Sequence, residues 1–180
     1  MKKIHYSKII GISGKIGTGK TVLSEKLHLY MKSDLISTGN FIRNQALYHA
    51  IEPKRENLQN LGLQLINKYG YEKFVIEFLR SELKFNNDVL IIEGIRHLKI
   101  WEELIKYSNK SLLIFSDISE KNIIPNVKER DNLNEKDIKK SFSHLVENED
   151  KFLKKNANLI LYNYIDDDFI LKIVEKIKNL

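Results

Sequence analysis

The stretch Ser7-Lys8-Ile9-Ile10-Gly11-Ile12 runs through Ser13 into Gly14-Lys15-Ile16-Gly17-Thr18-Gly19-Lys20-Thr21. Its apolar first part reads as a buried strand. The second part fits G-x-x-x-x-G-K-[ST] at every fixed position. Behind it, Val22, Leu23, Leu27 and Tyr30 recur at helical spacing, which predicts a helix from about Lys20 to Met31. A strand, a glycine-rich turn and a helix in that order make a cradle for phosphate. Glycines let the backbone curl so that successive N–H groups face inward, and the helix start adds its positive dipole end. Gly14, Lys15, Ile16, Gly17, Thr18, Gly19, Lys20 and Thr21 are therefore the expected binding loop for the phosphates of a nucleoside triphosphate. Lys20 would reach the β- and γ-phosphates, and the Thr21 hydroxyl would ligate Mg²⁺.

Working outward, Asp34–Ser37, Val89–Glu93, Ser111–Phe115 and Leu159–Tyr162 are four more short apolar runs. Amphipathic helices are expected between them: Phe41 to Ala50, Arg55 to Tyr69 ended by Gly70, Tyr71 to Leu83, Leu98 to Tyr107, most of Ser119 to Lys155, and Asp166 to Leu180. Pro53 and Pro125 are expected in connections. Strands alternating with helices indicate an α/β fold with a five-stranded parallel sheet in three layers.

The chain has 180 residues, 42% hydrophobic and 30% charged, which suits one domain with a real core. No apolar run approaches the ~18 residues needed to cross a bilayer. The N-terminus lacks a secretory pattern, and the absence of cysteine excludes a disulfide scaffold, a thiolate zinc site and a cysteine nucleophile. A cytoplasmic location without a membrane partner is the expectation. The net charge of +6 comes mainly from Lys, which is interspersed with Glu, so it gives no nucleic-acid footprint of its own. Against that background each of the five arginines, Arg43, Arg55, Arg80, Arg96 and Arg130, invites a reason for a bidentate fork.

Ile91-Ile92-Glu93-Gly94-Ile95-Arg96-His97 offers one. A carboxylate at the end of a buried strand suits the surroundings of Mg²⁺ or a base near the acceptor, and Arg96 would turn a guanidinium to a phosphate. The plainer alternative is that Glu93 and Arg96 pair with each other or cap a helix. His97 beside such a cleft reads as a hydrogen-bonding wall rather than an acid or base. Arg55 and Gln59 fall at i and i+4, so they either face one ligand or form a surface stripe.

Asp34-Leu35-Ile36-Ser37-Thr38-Gly39-Asn40-Phe41-Ile42-Arg43 resembles the S-T-G-D-x-x-R segment that opens the acceptor lobe of nucleoside monophosphate kinases, with Asn40 in place of the acid. The Glu93–Arg96 segment also resembles that superfamily. Lys128-Glu129-Arg130-Asp131-Asn132-Leu133 and Asn156-Ala157-Asn158-Leu159-Ile160-Leu161-Tyr162-Asn163 resemble the lid and last strand of dephospho-CoA kinases. The resemblance as a whole is to P-loop small-molecule kinases. It implies a single kinase domain: core 1–37, 86–117 and 156–180, a helical acceptor-binding region over about 38–85, and a short lid over about 118–155. It also implies that Thr38 and Arg43 contact the acceptor, that Arg130, helped by Lys128, closes over the γ-phosphate, and that Asn163 and Tyr164 lie near adenine. Without it, Thr38 could simply cap a helix and Arg130 could be a solvated cation. The expected activity is ATP-dependent phosphotransfer to a nucleoside monophosphate or related nucleotide, with Lys20, Glu93, Arg96 and Arg130 as catalytic groups. Two alternatives stay open: a dephospho-CoA or modified-base kinase, and a nucleotide-binding switch with no small-molecule acceptor.

Overall fold

The computed structural model describes residues 4–82, 87–131, 149–164 and 166–180, with the backbone alone at 126 and 129–131. Strand β1 (Tyr6–Gly14) leads through the glycine loop to α1 (Lys20–Met31). Then follow β2 (Asp34–Ser37), α2 (Thr38–Tyr48), α3 (Arg55–Glu82), β3 (Val89–Ile95), α4 (Leu98–Leu104) with a 3₁₀ turn (Ile105–Tyr107), and β4 (Ser108–Ser116). The chain continues with α5 (Glu120–Asp131), α6 (Asp150–Lys155), β5 (Leu159–Leu161) and α7 (Asp167–Lys178). The strands form one parallel sheet in the order β2-β3-β1-β4-β5.

Side chains alternate across the sheet with period two, and both faces are covered. Ile10, Ile12, Ile91, Leu112 and Ile114 point to one side, where Leu23 and Leu27 of α1 and Ile170, Ile173 and Ile177 of α7 meet them. Ile9, Leu90, Ile92, Leu113 and Phe115 point to the other, against Phe41, Leu61, Phe74, Phe78 and Trp101. Three layers result. Phe78 is fully buried and tilts against Phe41 with ring centroids 5.5 Å apart. Truncating it to alanine would cost about 3–5 kcal/mol. Gly11 faces the same side without a side chain, and Trp101 occupies the space: a Cβ there would lie 2.6 Å from the indole.

The expected helix break at Gly70 is present. Backbone hydrogen bonding carries α3 past it, but Gly70 itself is non-helical (φ 77, ψ 166). The first half of α3 bears Arg55 and Gln59, and the second half buries Phe74, Val75, Phe78 and Leu79. Pro53 lies in the connection before α3, as expected. Pro125 does not lie in a connection: it is inside α5. A proline there removes one helical hydrogen bond. Burial of Ile123 and Val127 against Ile16, in a small cluster of their own, offsets that loss. Residues 132–148 of the expected lid, and the Arg130 side chain, lie outside the described residues.

The path leaves β1 toward β2 on one side and leaves β3 toward β4 on the other. A crevice therefore opens at the carboxyl ends of β1 and β3, where open α/β sheets take their ligands. A buried polar node braces the opposite end: Tyr6 donates its hydroxyl to Asp34 at 3.1 Å, and Asn87 donates to both Asp34 oxygens. Burial and the Asp34 carboxylate push the Tyr6 phenol well above its ordinary range.

Candidate functional site

The glycine loop is held from beneath by buried hydroxyls. Ser13 donates to the Ile95 carbonyl at 2.7 Å, and Ser116 donates to the Thr18 carbonyl at 3.0 Å. They tie the loop to the ends of β3 and β4. Thr18 closes the turn on the Lys15 carbonyl at 2.9 Å, and the Lys20 ammonium folds back onto that same carbonyl. Gly17 is left-handed at φ 77, and a Cβ there would meet Val127 at 2.4 Å and Ile123 at 2.6 Å. Helix α5 thus packs directly on the loop. The Tyr164 hydroxyl donates to the Gly17 carbonyl at 2.9 Å. Ile16 is buried against α5, so only its backbone is available to a nucleotide. The Lys15 side chain is turned outward to Glu120 at 2.7 Å.

At the loop's end, Thr21 donates its hydroxyl to Glu93 Oε1 at 2.8 Å. Arg96 donates to the Gly14 carbonyl at 3.1 Å rather than to Glu93. The residues of the β3 end therefore address the loop, and not one another, in these contacts. Ser37, and not Thr38, caps α2, accepting from the Asn40 backbone. The Thr38 hydroxyl donates instead to the Gly94 carbonyl and so joins α2 to β3. Arg43, one turn along α2, donates to the Asn40 side-chain carbonyl at 2.8 Å.

The glycine loop from Ile16 to Thr21 faces one cleft of about 1520 Å³ together with Thr38, Arg43, Glu93 and Arg96. Gly17, Thr18, Gly19, Lys20 and Thr21 line one end, with Asn163 and Tyr164 beside them. Thr38, Arg43, Arg55, Gln59, Glu93 and Arg96 line the remainder, and Ile42, Ile66, Phe74 and Ile100 supply an apolar wall. The described lining carries five cations (Lys20, Arg43, Lys54, Arg55 and Arg96) against two carboxylates, Glu56 and Glu93. Such a cleft suits anionic ligands with an apolar portion.

Solved structures share this architecture end to end. Shikimate kinase from Acinetobacter baumannii superposes with a TM-score of 0.59 over 98% of this chain and 95% of that one, at 13% identity. A gluconokinase from Sinorhizobium meliloti gives 0.52 over 97% and 98%, at 9% identity. The fold is that of the P-loop small-molecule kinases. No family model matches the chain. The UPF0200 protein MMP1282 of Methanococcus maripaludis is 33% identical over 93 residues, 51% of this chain and 50% of that protein. The chain spans about half the length of the curated relatives it matches.

Within the P-loop kinase fold, the cleft gathers every residue expected to bind donor or acceptor except Gly14, Lys15, Lys128 and Arg130. Gly14 ends β1 and Lys15 follows it, and the Arg130 side chain lies outside the described residues. Lys128 is described and exposed. Sequence reasoning missed Ser13 and Ser116, which carry no local signal because their partners are 82 and 98 residues away. Among the described residues, no helix is long and apolar enough to cross a membrane.

Proposed function

We propose that this chain is an ATP-dependent phosphotransferase whose acceptor is a nucleotide, in the first place a nucleoside monophosphate. One observation carries the reading. A single cleft joins the P-loop Lys20 and Thr21 to Arg43, Arg55, Arg96 and an apolar wall. The arginines suit an anionic phosphate, and the wall suits a planar base. A small polyhydroxylated acid would have little use for Ile42, Ile66, Phe74 and Ile100.

The donor set also fits Mg²⁺. Thr21 and Glu93 bring a hydroxyl and a carboxylate oxygen together at 2.8 Å, both hard ligands of the kind magnesium takes beside substrate phosphates. Thr21 would hold the ion directly and Glu93 would hold it directly or through water. The ion, when bound, draws charge from the phosphate oxygens. The chain's own residues do the rest. Loop N–H groups and Lys20, released from the Lys15 carbonyl, bind the donor phosphates. Arg96 leaves the Gly14 carbonyl for phosphate oxygens between donor and acceptor. Arg43 and Arg55 fix the acceptor so that its attacking oxygen lies in line with the bond that breaks. Arg130 belongs to this set as the lid cation, with Lys128. Asn163 and Tyr164 would flank the adenine. The division into a core, an acceptor-binding region over 38–85 and a lid over 118–155, and a cytoplasmic location, are parts of the same proposal.

An acceptor screen tests it. Protein and Mg·ATP are incubated with each ribo- and deoxyribonucleoside monophosphate, dephospho-CoA, a DNA oligomer, shikimate and gluconate, and products are resolved by mass. A nucleoside diphosphate that forms with the native protein and not with Lys20→Ala is the expected result. Transfer only to shikimate or gluconate overturns the nucleotide reading. ATP binding with transfer to none of them points to the switch.

A further inference from the structure

His97 is a buried side chain that the phosphotransfer chemistry above does not use. It is 8% exposed, lies at the start of α4 immediately after Arg96, and lines the acceptor portion of the cleft. Its surroundings are mostly apolar: Ile66, Phe74 and Ile100 line the same wall, and the Tyr71 ring meets the imidazole edge-on at 6.2 Å between centroids. Glu149, at the start of α6, places Oε2 4.0 Å from Nδ1, which is too long for a hydrogen bond and close enough to bias the ring. The nearby carboxylate favours the tautomer with its proton on Nδ1. Nε2, on the opposite edge, is then the ring's acceptor.

The imidazole makes no hydrogen bond to a described residue, neither of its nitrogens is sealed off without a partner, and the ring stands in the wall of a ligand cleft. Such a group exchanges water for a ligand's hydrogen bond when the cleft fills. From this arrangement we propose that His97 is a specificity residue for the acceptor, whose Nε2 accepts a hydrogen bond from an N–H donor on the acceptor's base. The inference rests on the nucleotide reading above and deepens it. Arg43, Arg55 and Arg96 would recognise the phosphate, the apolar wall the faces of the ring, and His97 its edge. A site built to bond a ligand N–H discriminates strongly against analogues that lack it, because its own polar group is then stranded.

The test measures KM for the best nucleotide acceptor and for ATP in the native protein, His97→Leu and His97→Gln. Leucine removes the acceptor atom, and glutamine retains one. His97→Leu should raise the acceptor KM about tenfold, His97→Gln by no more than about threefold, and ATP KM should stay within about twofold in both. In parallel, the native protein is assayed with an N-methylated analogue of the same acceptor that lacks the base N–H. A tenfold rise in KM is expected there as well, and this arm is independent of how the variants fold. An unchanged acceptor KM in His97→Leu, equal impairment by both substitutions, or full use of the methylated analogue overturns the inference while leaving the nucleotide reading intact. If the native protein transfers phosphate to no nucleotide at all, both fall together.

Discussion

The Thr21 hydroxyl and the Glu93 carboxylate, 72 residues apart in sequence, are hydrogen-bonded at 2.8 Å. This contact joins the first turn of α1 to the end of β3 at the floor of the cleft. It puts two oxygen ligands of different charge on one spot, where a divalent cation and a triphosphate would meet.

Glu93→Gln separates a structural bond from a metal site. The amide keeps the hydrogen bond from Thr21 and removes the charge. Turnover should fall roughly a hundredfold, equivalent to about 2.7 kcal/mol of transition-state stabilisation, and the Mg²⁺ concentration for half-maximal rate should rise. The melting temperature should move little. A variant with native turnover would reduce Glu93 to a strut for α1.

Gly17→Ala tests the packing of α5 on the loop. The added methyl would lie 2.4 Å from Val127 and 2.6 Å from Ile123, at a φ of 77 that an L side chain disfavours. We expect a stability loss on the order of 1–3 kcal/mol, together with weaker ATP binding by calorimetry. Loss of stability with unchanged ATP affinity would show that α5 supports the fold without positioning the loop.

Burial holds the His97 imidazole below its ordinary range. The neighbouring Glu149 carboxylate opposes that shift and Arg96 adds to it. The folded protein therefore binds this proton less readily than the unfolded chain does. Stability linked to His97 is complete above the unfolded value of about 6.5 and is lost as pH falls from there through the lowered folded value. His97→Gln should lack this component. Melting curves from pH 7.5 downward should show the native protein losing stability relative to the variant below about pH 6.5. Parallel curves would show that the imidazole is not desolvated.

Local chemistry made much of this legible in advance. Helix α1 and strand β2 have the expected bounds to the residue, because a left-handed Gly19 opens the helix and a left-handed Lys32 closes it. The Gly70 break followed from one residue type. Elements whose ends rest on distant partners were harder to place. Strand β4 begins at Ser108, three residues before its apolar run, because Tyr6 and Lys8 of β1 pair with Ser108 and Lys110 through backbone alone. Helix α2 begins at Thr38 because Ser37 caps it. The loop motif was legible from spacing, but its supports were not. Arg96 on Gly14, Thr38 on Gly94 and Tyr164 on Gly17 are long-range contacts to main-chain carbonyls, and carbonyls are the same in every residue.

The bare Cα of Gly11 has a practical consequence. It lets the chain's only tryptophan lie against β1, three residues upstream of the loop that this strand carries. Indole emission responds to the polarity and mobility of its surroundings, so the protein holds one native optical reporter beneath its phosphate cradle. A shift in that emission on adding nucleotide would register strain passing from the loop into the sheet, with no label attached.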